Sequence, residues 1–448
     1  MRKVHFIGIG GIGISALAKF YLGKDWQVSG SDLEASEITK DLENFGAQIF
    51  IGKHKAPNLK KDVVLVIHTL AATQQNPELK KAKKLKIKTY SYPQALGQLT
   101  KRYFTCAVSG THGKSTTSAL ISLILIRAGL DPTVILGTKL REFGESNFRQ
   151  GKSQYLVIEA DEWEAAFLNY FPRIIVLTNI EKEHVDYYKD LSHILRTYAK
   201  YIKKLPKGGI LVANKDDRNI SQIVKANKKL KVIFYSLKQK EGKKIKKILK
   251  IPGTHNISNA LAALSVARIL EIPDKISLRA LSDYKGAWRR FEIKEYKIPN
   301  TQCKIPIISD YAHHPTEIKA TLQAAREKFK KRKIFAIFQP HQYQRTYYLF
   351  NELLEAFDEA DEVVLTDIYE VAGREENKIS QKVSARKLAK ELEKKGKKVY
   401  FFKDFTKIPK FLEKKLKRRD VVLIMGAGSI YKLANFLDKV HGLDKDFK

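Results

Sequence analysis

Val108-Ser-Gly110-Thr-His-Gly113-Lys114-Ser115 packs two glycines, a lysine and a hydroxyl into one short stretch. An apolar strand runs into it, a glycine turn follows, and Lys114-Ser115 opens a helical pattern. In that order backbone amides cradle phosphates. Lys114 then reaches the β- and γ-phosphates and Ser115 holds Mg2+, although the strict phosphate loop has glycine where Val108 stands. Gly8-Ile-Gly10-Gly11-Ile-Gly13 repeats the logic behind the first strand. Its glycines allow a tight turn and close approach of a diphosphate to a helix N-terminus, and Asp32 ends the second strand, where an acid binds a ribose hydroxyl. A dinucleotide cofactor, another nucleotide, or plain packing of a helix on a strand all fit this turn. Two phosphate-binding patterns on successive segments point to two different nucleotides.

Glu159-Ala-Asp161-Glu162 ends another strand, and Thr178-Asn179 ends the next, with His184 and Asp186 following in a loop. Ligands gather at the carboxyl ends of strands in open parallel sheets. A carboxylate and an imidazole brought beside Ser115 complete a Mg2+ site that neutralises a transferring phosphoryl group. Taken singly, an acid at a strand end is often solvated and a loop histidine is often unremarkable. Their position after the phosphate loop favours the functional reading.

The elements that must position these residues form three successive segments of strands alternating with helices. That pattern predicts an α/β protein of three domains, each a mainly parallel sheet with flanking helices. The first, 1–99, reads as Rossmann-like, with strands at Val4–Ile7, Gln27–Ser29, Gln48–Ile51 and Val63–Ile67. The second, 100–285, reads as a phosphate-loop ATPase-like domain, with strands at Tyr103–Ser109, Tyr155–Glu159, Ile174–Thr178, Ile210–Ala213 and Val232–Tyr235, and helices over about Lys114–Ala128 and Asn256–Leu270. The third, 286–448, is again Rossmann-like, with strands near Ile305–Ser309, Ile334–Ile337, Glu362–Thr366, Lys398–Phe402 and Asp420–Ile424.

A chain of 448 residues, 44% of them hydrophobic, can fill such cores. No apolar run reaches the roughly 18 residues of a membrane span, and the opening residues carry no export signal, so a cytoplasmic protein without membrane insertion is expected. Cys106 and Cys303 match no metal-ligand spacing. The net charge of +35 raises the alternative of a basic, nucleic-acid-binding ATPase. However, the lysine runs at 60–61, 80–86, 228–229, 238–250 and 414–417 lack interleaved aromatic platforms, and solvated helix faces account for them, so nucleic acid is not expected as a partner. Oligomeric state is not legible in the sequence.

Seven segments occur in order and together resemble the Mur ligases: His5–Ala18, Gly110–Thr117, Glu159–Glu162, Gly253–Ala260, Arg289–Glu292, Asp310–Glu317 and Phe338–Thr346. The resemblance spans nearly the whole chain. It implies an ATP- and Mg2+-dependent ligase of peptidoglycan synthesis that joins L-alanine to the lactyl carboxylate of UDP-N-acetylmuramate through an acyl phosphate, with murein-tripeptide recycling as the alternative within the family. It reassigns the first domain from a dinucleotide to the UDP-sugar, through Gly8, Gly10, Gly11, Gly13 and Asp32. ATP falls to Gly110, Thr111, His112, Gly113, Lys114, Ser115, Thr116, Asn179, His255, Asn256, Asn259, Arg290 and Asp310, and the amino acid to Tyr311, His313 and Arg345. The metal falls to Ser115, Glu159 and His184, and the catalytic set becomes Lys114, Glu159, His184 and Arg290. Closure with hinge motion near Trp288 is expected to complete the site. Ser309, Gln342, Trp163-Glu164 and Ser115 depart from the family's usual Asp, Arg, Ser-Asp and Thr.

Overall fold

The computed structural model describes residues 1–299, 301–371, 375 and 377–439. Three sheets follow one another along the chain. The first comprises β1 (Lys3–Ile7), β2 (Gln27–Asp32), β3 (Gln48–Ile51), β4 (Leu65–His68) and β5 (Lys88–Ser91) in the order β3-β2-β1-β4-β5. All its pairings are parallel. The second holds β6 (Phe104–Ser109), β7 (Thr133–Leu140), β8 (Ser146–Arg149), β9 (Tyr155–Glu159), β10 (Ile174–Leu177), β11 (Ile210–Asn214) and β12 (Lys231–Tyr235), ordered β12-β11-β10-β6-β9-β7-β8. The third holds β13 (Glu292–Lys297), β14 (Lys304–Asp310), β15 (Lys333–Phe338), β16 (Glu362–Thr366), β17 (Lys398–Phe402) and β18 (Asp420–Met425), ordered β13-β14-β18-β15-β16-β17. Among the described strands, antiparallel pairs occur at one border of the second sheet, β7 with β8, and at one border of the third, β13 with β14.

Central strands are buried on both faces, which is why β10 (Ile-Ile-Val-Leu) and β18 (Asp-Val-Val-Leu-Ile-Met) are near-continuous apolar runs. In the third sheet the two-residue side-chain period feeds two cores at once. Ile334, Ala336 and Phe338 pack on one face with Val421, Leu423 and Met425, while Phe335 and Ile337 pack on the other with Val422 and Ile424. The lysine runs lie on solvated faces. Lys243, Lys244, Lys246 and Lys247 are exposed around the buried Ile245 of one amphipathic helix.

The chain gathers into two compact units: Met1–Glu181 with Ser192–Ile248 and Ser258–Tyr284, and Lys182–Leu191 with Leu249–Ile257 and Lys285–Lys448. The first unit therefore carries two sheets. Within it, the helix Ile12–Leu22 behind the first glycine turn packs on the β7–β8 border. Asn147 Nδ2 donates to Ser15 Oγ at 3.0 Å and to the Ile12 carbonyl, and Lys19 Nζ reaches Ser146 Oγ at 3.0 Å and Asp41 at 2.6 Å. The helix Tyr92–Thr100 touches the second sheet's segment so closely that a Cβ on Gly97 would sit 2.3 Å from the Asn169 carbonyl oxygen.

A buried polar network ties the first sheet together. Glu78, wholly buried, lies 3.0 Å from His5 Nε2 and accepts from Ser31 Oγ at 2.6 Å and Asn58 Nδ2 at 2.8 Å. Burial alone would raise its pKa, but these hydrogen bonds outweigh burial and hold the carboxyl down at about 2. Because the folded pKa lies below the ordinary value of 4.5, the stabilisation is fully present above pH 4.5 and disappears as pH falls toward 2. Glu78→Gln should lower stability at neutral pH by about 3 kcal/mol and flatten the acid limb of stability between those pH values. Denaturant titrations at a series of pH values check both, and an unchanged acid limb would contradict this account.

Candidate functional site

The loop between β6 and the helix Lys114–Arg127 holds its shape through the end of the neighbouring strand β10. The Thr111 amide donates to the Asn179 carbonyl at 3.0 Å, and the His112 amide donates to Asn179 Oδ1 at 2.8 Å. The His112 carbonyl accepts from Thr178 Oγ1 at 2.6 Å and Asn179 Nδ2 at 3.1 Å. Gly110 has φ +136°, and a Cβ there would meet Thr178 Oγ1 at 2.0 Å. Gly113, at φ +82°, caps the helix without a side-chain bond, and a Cβ on it would lie 2.5 Å from Asn259 Oδ1. The first amides of this uncapped helix therefore suit an anion.

Lys114 Nζ does not stand free. It donates to the Gly110 carbonyl at 2.6 Å, the Thr111 carbonyl at 3.2 Å and Glu162 Oε2 at 2.9 Å. Burial lowers its pKa, but Glu162, Asp161 and Glu159 overcome that and leave it raised, so the side chain stays charged. Ser115 Oγ donates to Glu159 Oε2 at 2.9 Å, while Glu159 Oε1 accepts from the Gly137 amide at 2.5 Å. The hydroxyl and carboxylate predicted to share a metal are thus side by side. Tyr92, absent from the sequence reading, connects this carboxylate cluster with the first sheet. Its hydroxyl lies 2.8 Å from where a Cβ on Gly13 would sit, and burial, then Glu159 and Asp161, push its pKa up.

In the first glycine turn, the Gly8 and Ile9 amides donate to the Ser31 carbonyl and the Gly10 amide to Asp32 Oδ2 at 2.8 Å. Asp32 thus braces the turn with the carboxylate oxygen that the sequence reading aims at a ligand. A Cβ on Gly10 would fall 2.9 Å from that oxygen, which explains the glycine. Gly11 serves as N-cap of the following helix without a side-chain bond.

The second unit holds His184, His255, Asn256, Arg290, Asp310, Tyr311, His313 and Arg345, whereas Asn259 lies in the first. Asn256 Nδ2, in the first turn of the helix Thr254–Ile269, donates to the carbonyl of Pro252 just before it at 2.6 Å. His255 packs against Gly253, where a Cβ would lie 2.5 Å from its ring. Asp310 accepts from the amides of Phe291 at 2.7 Å and Ala312 at 2.8 Å, pinning the Arg289–Phe291 turn in which Arg289 and Phe291 both adopt positive φ. Burial raises its pKa to about 6 despite Arg290 and those amides. The Arg290 guanidinium lies 4.9 Å from the centre of the Tyr311 ring. His313 shares Nδ1 with the Tyr311 carbonyl at 3.0 Å, and burial lowers its pKa to about 4, so the ring is neutral at pH 7.

Arg345, which the resemblance assigns to the amino acid, is 5% exposed and already engaged. Its Nε donates to Glu183 Oε1 at 2.8 Å, and Nη1 meets His341 Nδ1 at 2.8 Å. Burial would raise the Glu183 pKa, but Arg345 first, and then nearby histidines, hold it well below the carboxylate range. Neither Glu162 nor Glu183 stood out in the sequence as the partner of a site cation. The only signal was that each sits within a few residues of a motif position, in Glu159-Ala-Asp-Glu162 and Glu181-Lys-Glu183-His184.

Comparison with known proteins matches three family profiles: "Mur ligase family, catalytic domain" over residues 3–104, "Mur ligase middle domain" over 108–250 and "Mur ligase, glutamate ligase domain" over 289–428. A UDP-N-acetylmuramate–L-alanine ligase of Clostridium botulinum is 40% identical over 96% of this chain and 96% of that protein. One from Acetivibrio thermocellus is 39% identical over 98% and 96%. Among solved structures, the UDP-N-acetylmuramate–alanine ligase of Thermotoga maritima superposes with a TM-score of 0.82 at 29% identity, covering 98% of this chain and 99% of that one. A murein peptide ligase from Psychrobacter arcticus shares the fold, with a TM-score of 0.72 at 22% identity over 98% and 99%.

The engaged state of Arg345 sets an expectation. Breaking a buried pair from one side leaves the other charge uncompensated, at about 3–5 kcal/mol. Arg345→Met and Glu183→Gln should each lower the thermal midpoint by several degrees, and the double variant should be less destabilised than the two single changes summed. A double-mutant cycle with no coupling would show that the pair does not hold the loop.

Proposed function

The chain belongs to the Mur ligase family, and from that membership we propose that it joins L-alanine to the lactyl carboxylate of UDP-N-acetylmuramate at the expense of ATP, a step of peptidoglycan precursor synthesis. The observation that carries the reading is the group at the carboxyl ends of β6 and β9: a lysine, an uncapped helix start, and a hydroxyl touching a carboxylate.

A carboxylate does not accept an amine until an oxygen is made a good leaving group. The lactyl carboxylate attacks the γ-phosphorus of ATP, ADP leaves, and an acyl phosphate forms. The amine of alanine then attacks the acyl carbon, loses a proton, and inorganic phosphate departs. Lys114 and the amides at the helix start, from Gly113 to Ser115, offset the charge spread over the transferring phosphoryl oxygens, with Lys114 passing from Glu162 and the Gly110 carbonyl to the phosphate. Ser115 and Glu159 present hard oxygen donors 2.9 Å apart, the donor type Mg2+ takes, and family position adds His184 to the metal set. Bound there, Mg2+ supplies positive charge to the phosphate oxygens. Thr116, Asn179, His255, Asn256, Asn259, Arg290 and Asp310 are assigned to ATP. Asn179 acts by holding His112, and Asp310 by fixing the turn that carries Arg290.

Gly8, Gly10, Gly11 and Gly13 receive the UDP diphosphate, with Asp32 shaping the turn. Tyr311, His313 and Arg345 are assigned to the amino acid, whose carboxylate competes with Glu183 and His341 for the Arg345 guanidinium. The need for ATP and the sugar nucleotide supports a cytoplasmic location.

ATP-dependent phosphate release, measured with UDP-N-acetylmuramate and a panel of amino acids and peptides, tests the proposal. L-alanine should be the preferred acceptor, and a preference for glycine, serine or a tripeptide would overturn that assignment. Lys114→Ala should lower kcat by roughly 100-fold or more. Because it strands Glu162, Lys114→Ala/Glu162→Gln should show the same loss with better stability. Gly10→Val should raise KM for the sugar nucleotide and leave KM for ATP nearly unchanged, and equal rises in both would refute the assignment of the first glycine turn.

A further inference from the structure

The first sheet offers its glycine turn at the carboxyl ends of its strands, and at the opposite, amino ends it carries a second concavity of about 530 Å3. The volume lies within the range of small-molecule sites. Four cations line it from different elements: Arg2 before β1, Lys24 after the first helix, Lys88 at the start of β5, and Arg102 after the helix Tyr92–Thr100. Among the described residues no acidic side chain pairs with any of them, and the lining of the concavity holds four cations and no acid. Their described contacts are instead with ring faces, Arg2 at 5.8 Å from the Trp26 ring centre and Lys88 at 5.2 Å from that of Tyr90.

Those rings form the wall beneath the cations. Trp26 meets Tyr21 edge-on at 5.0 Å between centres, and Tyr21 is locked in turn by Phe6 and Phe20. Rigid aromatic surface beneath a rim of unpaired positive charge recognises a flat ring bearing an anionic group, the ring held by stacking and the anion by the cations. We propose that this pocket is a binding site for a small aromatic phosphate or carboxylate, separate from both phosphate loops.

The site adjoins machinery already described. Ala95, Gln98 and Leu99 line it from the helix Tyr92–Thr100, the helix that presents Tyr92 to Gly13 and presses Gly97 against Asn169. A ligand there bears on the element that spaces the two sheets of the first unit.

Calorimetric titration of the full chain with 1-naphthyl phosphate tests the proposal, with 1-naphthalenemethanol and inorganic phosphate as separate titrants. One saturable event per chain is expected, and each half-probe should bind at least about tenfold more weakly, about 1.4 kcal/mol. Arg2→Glu/Lys88→Glu should weaken the event at least tenfold, and Trp26→Ala, which keeps all four cations, should weaken it as well. The exposed positions of Arg2 and Lys88 keep the charge-reversal variant foldable, and its thermal midpoint verifies this. Failure to saturate, equal binding of the neutral alcohol, or undiminished binding by the charge-reversal variant would each overturn the assignment, the last by placing the probe at another phosphate site.

Discussion

The grip of Thr178 and Asn179 on His112 is the contact on which the site depends. Four hydrogen bonds from the end of one strand fix the loop that leaves its neighbour, and the pairing of β6 with β10 brings those two ends together. Gly110 follows from it, since any side chain there would occupy the space of Thr178. With the loop so fixed, its amides at 111 and 112 are held by Asn179 and its carbonyls at 110 and 111 turn toward Lys114. The proposed phosphate binding thus rests on backbone geometry set by an adjacent strand, and the helix sequence supplies only the lysine and the hydroxyl.

Two cations of the candidate site are held by buried acids, Lys114 by Glu162 and Arg345 by Glu183, within each unit separately. Such pairs orient a cation in surroundings that would otherwise favour a different rotamer, and for Lys114 the neighbouring acids also keep the ammonium charged against burial. For Lys114 the acid also acts as a competitor that a nucleotide must displace, so the free energy of phosphate binding includes the loss of that pair. Asp310 and Asp32 show a related economy: each carboxylate braces a turn by accepting backbone amides and so positions neighbours.

Much of this was readable in the chain. The apolar runs of β6, β10 and β18 are visible because strands covered on both faces must be apolar throughout, and the glycine turns are visible because their close approaches exclude every other residue. The borders were less legible. β8 (Ser-Asn-Phe-Arg) and β13 (Glu-Ile-Lys-Glu-Tyr-Lys) are antiparallel, half covered and chemically mixed, so they lack the run that marks a central strand. β5 and β7 were also missed, the former because Lys-Thr-Tyr-Ser is short and partly exposed. Site residues were found where a motif carried them, but their partners were not, because Glu162 and Glu183 become recognisable only once folding shows which cation each faces. The division into two units, with 182–191 and 249–257 joining the third sheet's segment, is a long-range packing property with no local signature.

The bonds from Asn147 and Ser146 to the helix Ile12–Leu22 join residues 127 to 135 positions apart. During synthesis at roughly 5–20 residues per second, that helix leaves the ribosome on the order of ten seconds before the hairpin that covers it. Its partner in the interval is local: Lys19 bonds Asp41, which emerges soon after it. The first sheet therefore can close on its own contacts early, and the later arrival of the hairpin converts a nascent Rossmann-like body into half of a two-sheet unit. Maturation of the first glycine turn is in this sense a vectorial process, finished by chain made long after the turn itself.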